Sequence, residues 1–334
     1  MRIKSACLIV ASCLVVFLSG CKTTPRSSVE LREEFVDWSF GMFIHFNVAT
    51  FNEREWANGY EDPVTFAPGQ LDCEQWAEAA AAAGMQYAVL TVKHTGGWCL
   101  WDSAHTESHD MTAFNNYHDG QGDIVREFVD AFRAKGIKVG LYYCMPGNYN
   151  GKWGNELLAG QESLEGMPPE AKGQHVEFIK KQLTELLTQY GVIDLVWFDQ
   201  VNKPTVKAHI PELIRHVKAQ QPECLVVANN THDFSRTDIY SYEYPFMKSR
   251  DISRALPPVG NQNAGEVSDY LGPAWFWKED VEWTLKSAEE VVEVLQLCND
   301  RKATYLLNVA PDTTGLIPEK TVQRLKEIGA LVAE

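Results

Sequence analysis

Short apolar runs, rich in β-branched and aromatic residues, alternate with helical patterns along almost the whole of this chain. The strand-like runs fall at 40–46, 87–93, 137–143, 192–199 and 224–229, with weaker ones at 238–242 and 274–277 and a last one at 305–309. Helical patterns occupy 73–83, 124–135, 171–190, 210–220, 288–300 and 319–332. Gly84, Gly136 and Gly191 each stand just before a strand, where glycine readily ends a helix. The strong runs are apolar almost throughout, as expected when helices cover both faces of a parallel sheet. About eight such units favour a (β/α)8 TIM-like barrel in one domain over an open doubly wound sheet. No G-x-G-x-x-G or G-x-x-x-x-G-K-[ST] follows a strand, so nucleotide-binding versions of an α/β fold lose support.

The first residues read differently. Arg2 and Lys4 precede an apolar run from Ala6 to Leu18, too short to span a bilayer comfortably, and Ser19-Gly20-Cys21 follows. The ending Leu18-Ser19-Gly20-Cys21 resembles a bacterial lipobox, which predicts a signal over 1–21 and lipidation at Cys21. Residues 22–34 are expected to be a polar tether, and 35–334 the folded domain. An exported, lipid-anchored envelope protein follows, with membrane association only through the anchor. No later apolar run is long enough to span.

Composition narrows the partners. Acidic residues outnumber basic ones 45 to 30, a net charge of −15, which counts against a nucleic-acid surface. Ten Trp, 12 Tyr and 15 Phe exceed what a core of this size needs and suit a ligand with an apolar face, such as a sugar. Cys73, Cys99, Cys144, Cys224 and Cys298 are widely spaced with no C-x-x-C pair, so buried thiols are expected, with at most one or two bridges. His105, His109 and His118 share a segment with Asp110 and Asp119, but their spacing fits neither H-x3-H nor H-E-x-x-H. No metal and no cofactor is expected.

In a barrel the C-terminal strand ends build the active site. Those ends carry His45, Lys93-His94, Tyr142-Tyr143, Trp197-Phe198-Asp199, Asn229-Asn230 and Glu243. Asp199 is the sharpest, a carboxylate at the mouth of an otherwise buried strand, sharing a face with Trp197 by the two-residue period. Asp194, at the opposite end of that strand, is expected to serve folding. Glycoside hydrolysis needs two carboxylates about one bond, about 5–5.5 Å apart in a retaining enzyme. Asp199 fits the nucleophile, and Glu243, Glu266 and Glu55 are candidates for the proton donor. Glu243, between Tyr242 and Tyr244-Pro245-Phe246, has the most desolvating surroundings, which would raise its pKa as an acid requires.

The ordered motifs resemble those of glycoside hydrolase family 29, the α-L-fucosidases. Trp38-Ser39-Phe40-Gly41-Met42-Phe43-Ile44-His45-Phe46 is similar to the family's first strand, and Glu55-Trp56, Gly84 to His94, Leu100 to Ser103, Gly140 to Tyr143, Leu195 to Asp199 and Leu306 to Pro311 follow in order. The resemblance implies a retaining mechanism with Asp199 as nucleophile. It also implies sugar contacts from His45, Glu55, Trp56, His94, Tyr143 and Trp197, with Trp275 or Phe276 as a wall for the C6 methyl. A D-Y-x-T-P-E-like stretch over 238–243 favours Glu243 as acid/base, and a W-E pattern over Gly265-Glu266 and Trp275 keeps Glu266 open.

The departures bear on specificity. The family's K-H-H-D-G-F reads Lys93-His94-Thr95-Gly96-Gly97-Trp98, and its basic residue after the fifth strand is replaced by Asn230 or Thr231. Only one helix follows the last strand, so the catalytic domain is expected without the family's C-terminal β-sandwich. The expected activity is release of a terminal fucosyl residue from a fucosylated glycan. A glycosidase for a fucose-like sugar such as α-L-galactose, and a non-catalytic carbohydrate-binding lipoprotein, are the alternatives.

Overall fold

The structure is a computed structural model, and it describes residues 25–106, 109–145, 169–203, 206–245, 255–282 and 284–333. The signal predicted for 1–21, its lipidation at Cys21 and the first residues of the predicted tether lie outside these. Eight strands run in parallel: β1 Phe40–Ile44, β2 Tyr87–Lys93, β3 Lys138–Cys144, β4 Leu195–Asp199, β5 Leu225–Ala228, β6 Tyr240–Glu243, β7 Gly265–Tyr270 and β8 Ala303–Asn308. Their order is β5-β4-β3-β2-β1-β8-β7-β6, and a parallel bridge between Val227 and Ile239 joins the two edges. The (β/α)8 TIM-like barrel is thus nearly closed.

Seven α-helices are described: α1 Ser28–Asp37, α2 Cys73–Ala82, α3 Ile124–Ala134, α4 Pro169–Gln189, α5 Ile210–Gln220, α6 Ala288–Asn299 and α7 Glu319–Val332. Asp72 and Asp123 cap α2 and α3 with their carboxylates, and Ser287 with Glu290 forms a reciprocal capping box on α6. The alanine run in α2 brings α7 close, and a Cβ on Gly329 would lie 1.9 Å from the Ala82 carbonyl oxygen. The β5–β6 connection, 229–239, carries no helix; Asn229 and Asn230 line the mouth, and the chain then returns to the lower end, where Phe234 packs under Arg32 of α1 and Asp238 accepts from the Val226 N–H.

Two apolar layers hold the barrel. The outer one lies between strands and helices and includes Trp76, Phe128, Phe132 and Leu183. The inner one fills the barrel with Phe43, Tyr87, Tyr142, Trp197 and Leu306, and it continues into Leu31, Phe35 and Trp38. This last group corrects the tether expected over 22–34. From Ser28 the chain is helical, started by a capping box between Ser27 and Glu30. Leu31 and Phe35 of α1 are buried against the barrel interior, worth about 1.5–3 kcal/mol each by the apolar surface removed from water. The seventh strand is also not the predicted 274–277 but Gly265–Tyr270. Its sequence, Gly-Glu-Val-Ser-Asp-Tyr, is half polar: Glu266 finds partners inside the barrel and Asp269 beneath α6, while Ser268 Oγ is buried with no hydrogen-bond partner among the described residues. Asp269, for example, accepts from Tyr305 Oη at 2.7 Å and Lys286 Nζ at 2.5 Å.

The five cysteines named above are buried and unbridged. Asp194 accepts from the Val139 N–H at 2.8 Å and pairs with Lys138 at 3.5 Å, tying β3 to β4 at the barrel's lower end.

Candidate active site

A cavity of about 510 Å³ opens at the C-terminal ends of the strands. It contains Asp199, Glu243, His45, Trp56, His94, Trp197 and Trp275 of the residues predicted from sequence. Phe43, Tyr142, Gln200, Val201, Asn202, Lys203, Asn229, Asn230 and Ser268 complete its lining.

Asp199 ends β4, and the next residue turns left-handed (Gln200, φ 58°). That turn swings the Gln200 N–H back onto Asp199 Oδ1 at 2.7 Å. Asn229 Nδ2 donates to the same oxygen at 2.9 Å, and Tyr142 Oη donates to Oδ2 at 2.7 Å. Three donors thus fix the orientation of this carboxylate at the mouth.

Glu243 ends β6. Asn229 Nδ2 and Asn230 Nδ2 each donate to its Oε2 at 3.0 Å. Asn230 reaches it from a left-handed turn (φ 50°), which asparagine tolerates well. The apolar setting expected around Glu243 is therefore replaced by carboxamides. One Asn229 nitrogen touches both acids, so the two oxygens are no further apart than those 2.9 and 3.0 Å legs laid end to end, about 6 Å.

The opposite wall is aromatic. His45 gives Nδ1–H to Asn308 Oδ1 at 2.7 Å, which orients the ring, and burial followed by the neighbouring His94 holds its pKa well below the usual imidazole value. Burial lowers His94 to about 3. Both rings are neutral at physiological pH, and with its proton on Nδ1 His45 keeps Nε2 to accept from a hydroxyl. His94 stacks on Tyr142 with centroids 5.3 Å apart, and Tyr142 on Trp197 at 5.4 Å. Trp275 lies 5.0 Å from His45, and Trp56 stands 64% exposed at the rim.

Three predicted residues lie elsewhere. Glu266 is completely buried within β7, below the cavity floor. Its Oε1 accepts from Trp197 Nε1 at 2.5 Å and its Oε2 from Tyr87 Oη at 2.9 Å, and burial raises its pKa to about 7. Tyr87 crosses the barrel to reach it over Gly41, where a Cβ would sit 2.4 Å from the tyrosine ring. Glu55 accepts from the backbone N–H groups of Trp275 (2.7 Å) and Phe276 (3.1 Å), so it shapes the loop that presents Trp275 and does not line the cavity. Phe276 is buried against His45 and His94. Tyr143 faces the helices, where its Oη accepts from Lys93 Nζ at 3.1 Å and donates to Gln182 at 2.6 Å. Tyr142 takes the inward position because it pairs in register with Trp197. The period-two signal that placed Trp197 and Asp199 could have found Tyr142, whereas no sequence pattern marks Lys203 or Ser268.

Thr95, in place of the family's second histidine, bonds to His94 Nδ1 at 3.2 Å and does not line the cavity. His109 bonds to the Gly59 carbonyl at 2.8 Å and His105 lies 3.5 Å from Glu185. Among the described residues, no group of three or more His, Cys, Asp or Glu side chains could hold a metal ion.

The family model for α-L-fucosidase matches residues 20–334. An Arabidopsis thaliana protein, α-L-fucosidase 1, is 26% identical over 328 residues, covering 89% of this chain and 59% of its own length. The chain therefore spans only about six-tenths of that relative. Among solved structures, α-L-fucosidase isoenzyme 1 from Paenibacillus thiaminolyticus superposes with a TM-score of 0.72 at 29% identity, covering 92% of this chain and 76% of that one. A glycoside hydrolase 29 family member from an unknown rumen bacterium gives a TM-score of 0.71 at 26% identity, covering 91% and 57%.

Proposed function

The chain belongs to the α-L-fucosidase family, glycoside hydrolase family 29, and from that premise we propose that it is a retaining exo-glycosidase releasing terminal α-L-fucosyl residues from glycans. The observation that carries the reading is the pair Asp199 and Glu243 facing one cavity and joined through Asn229 Nδ2. A span of no more than about 6 Å between their bonded oxygens suits a nucleophile and an acid/base on one bond better than the wider gap an inverting enzyme leaves for water. Asp199 attacks the anomeric carbon while Glu243 protonates the glycosidic oxygen and the alcohol departs. The Asp199 glycosyl ester is then opened by water, which gives its proton to the Glu243 carboxylate as its oxygen bonds to C1 and frees Asp199. The buried floor of Trp197 over Glu266 closes one end of the cavity, which supports cleavage at chain ends only.

His45 and His94, neutral and oriented, suit hydroxyl recognition, and Trp275 with Phe43 offers an apolar wall for a C6 methyl. The test is a panel of aryl α-L-fucosides, α-L-galactosides and other glycosides, with the product anomer followed by NMR at early times. Turnover of the α-L-fucoside with α-L-fucose as first product is expected. A first product of inverted configuration, or binding without turnover across the panel, defeats the reading.

We infer further that the chain is exported and anchored by lipid on Cys21. Cys21→Ser should move the protein from the membrane to the soluble fraction, and an unchanged membrane fraction removes the anchor.

A further inference from the structure

We propose that the cavity rim recognises an oxyanion, a sulfate ester or a sugar carboxylate, on the residue next to the one released, through Lys203 and Arg236. This rests on the glycosidase reading above. With Trp197 closing the floor, a terminal sugar fills the depth of the cavity, and the rest of the glycan leaves through the mouth. One side of that mouth is the turn after Asp199, closed by the Lys203 N–H on the Gln200 carbonyl at 3.1 Å. Asn202 and Lys203 of this turn line the cavity. Arg236, from the β5–β6 connection, stands behind this lining and brings Nη2 to 3.4 Å from Asn202 Oδ1.

Neither cation has a carboxylate partner among the described residues, in a chain where acids outnumber bases 45 to 30. Elsewhere half-buried lysines take such partners, as Lys286 does with Asp269, Lys218 with Asp238 and Lys138 with Asp194. Of the two acids nearest Arg236 in sequence, Asp238 is taken by Lys218 and the Val226 N–H, and Asp233 accepts from the Ser235 N–H and hydroxyl at 2.9 Å each. Arg236 Nε is shut off from solvent with no hydrogen-bond partner, a donor short of an acceptor.

The cations do not serve the reacting carboxylates, since among the described residues no lysine or arginine nitrogen pairs with Asp199, whose oxygens are taken by Gln200, Asn229 and Tyr142. Deeper in the cavity, the attacking Asp199 carboxylate repels an anion, so the released sugar is neutral there and the charge belongs on its neighbour. Amides and aromatics alone would serve a neutral neighbour. A compact ammonium and a guanidinium fork together suit an oxyanion.

Three substrates sharing one fucosyl linkage test this: a neutral acceptor sugar, the same sugar as its sulfate ester, and its uronic acid counterpart. The protein should favour at least one anionic substrate about tenfold in kcat/KM, with the advantage shrinking as salt rises. The anionic-to-neutral ratio should fall to about one in Lys203→Ala/Arg236→Ala and survive in Lys203→Arg. The favoured anion tells sulfate from carboxylate. Equal turnover of all three, or a ratio that persists in the double variant, overturns this inference while leaving the glycosidase reading intact. Turnover of none overturns both.

Discussion

Two glutamates face the barrel axis one layer apart, and they have opposite fates. Register pairs Glu243 with Ser268 on β7, and Glu266 lies two residues earlier on that strand, about 7 Å lower. At the upper level the acid meets carboxamides, solvent and the partner Asp199. At the lower level it meets Trp197, Tyr87 and no water, and burial raises its pKa to about 7. The same residue type thus faces the cavity beside Asp199 in one layer and holds the floor in the next. Depth along the strand, and not the residue or its sequence neighbours, separates the roles.

The widest gap between the layers should come from the nucleophile. Asp199→Ala is expected to lower kcat by about 10⁴-fold or more, while Glu266→Gln, which keeps an acceptor for Trp197, stays within about tenfold. Equal losses measured on an aryl α-L-fucoside would erase the distinction drawn here. Next, Glu243→Ala should cost roughly 10³-fold with a sugar leaving group, but far less with an activated aryl group that departs without a proton. If Glu266→Ala showed that leaving-group dependence instead, the acid would be the lower residue.

A smaller effect contrasts the two faces of β3. Tyr142→Phe removes the donor to Asp199 Oδ2 and should lower kcat by about tenfold, one charge-assisted hydrogen bond. Tyr143→Phe should leave kcat nearly unchanged yet lower the melting temperature. It strips Lys93 Nζ of an acceptor in a site where burial already pushes that amine down to about 8. Reversed kinetic effects would mean that the inward position is misassigned.

The smallest effect sharpens the role of Glu266. Its pKa is raised on folding, so its contribution to stability is fully present below the ordinary carboxyl value and is lost as pH rises through about 7. Between pH 5 and 8 that loss is on the order of 3 kcal/mol. Thermal denaturation of the wild type and Glu266→Gln across this range should show a steeper fall for the wild type. Parallel curves would mean that Glu266 is already paired well enough to ionise freely.

Much of this was legible in the chain. Helix boundaries over 73–83, 210–220 and 319–332 agree with the structure to within a residue, because Asp72 and Gly84 bracket the first and a proline, Pro211 or Pro318, stands at the start of each of the others. Asp199 stood out because a charge at the end of an apolar strand is a local anomaly. The seventh strand was hidden because half of its side chains are polar and their partners, Trp197, Tyr87, Tyr305 and Lys286, are distant in sequence. Glu55 was placed in the site for its neighbours, yet it serves the backbone of Trp275 across the mouth.

The sequence by itself determined the barrel, the family and which strand ends carry reactive groups, since periodicity, caps and ordered motifs are written in neighbouring residues. Only the tertiary structure decided which carboxylates share the cavity. Closure of the sheet sets the level at which each inward side chain stands, and strand-to-strand register across the barrel has no signature in any one segment.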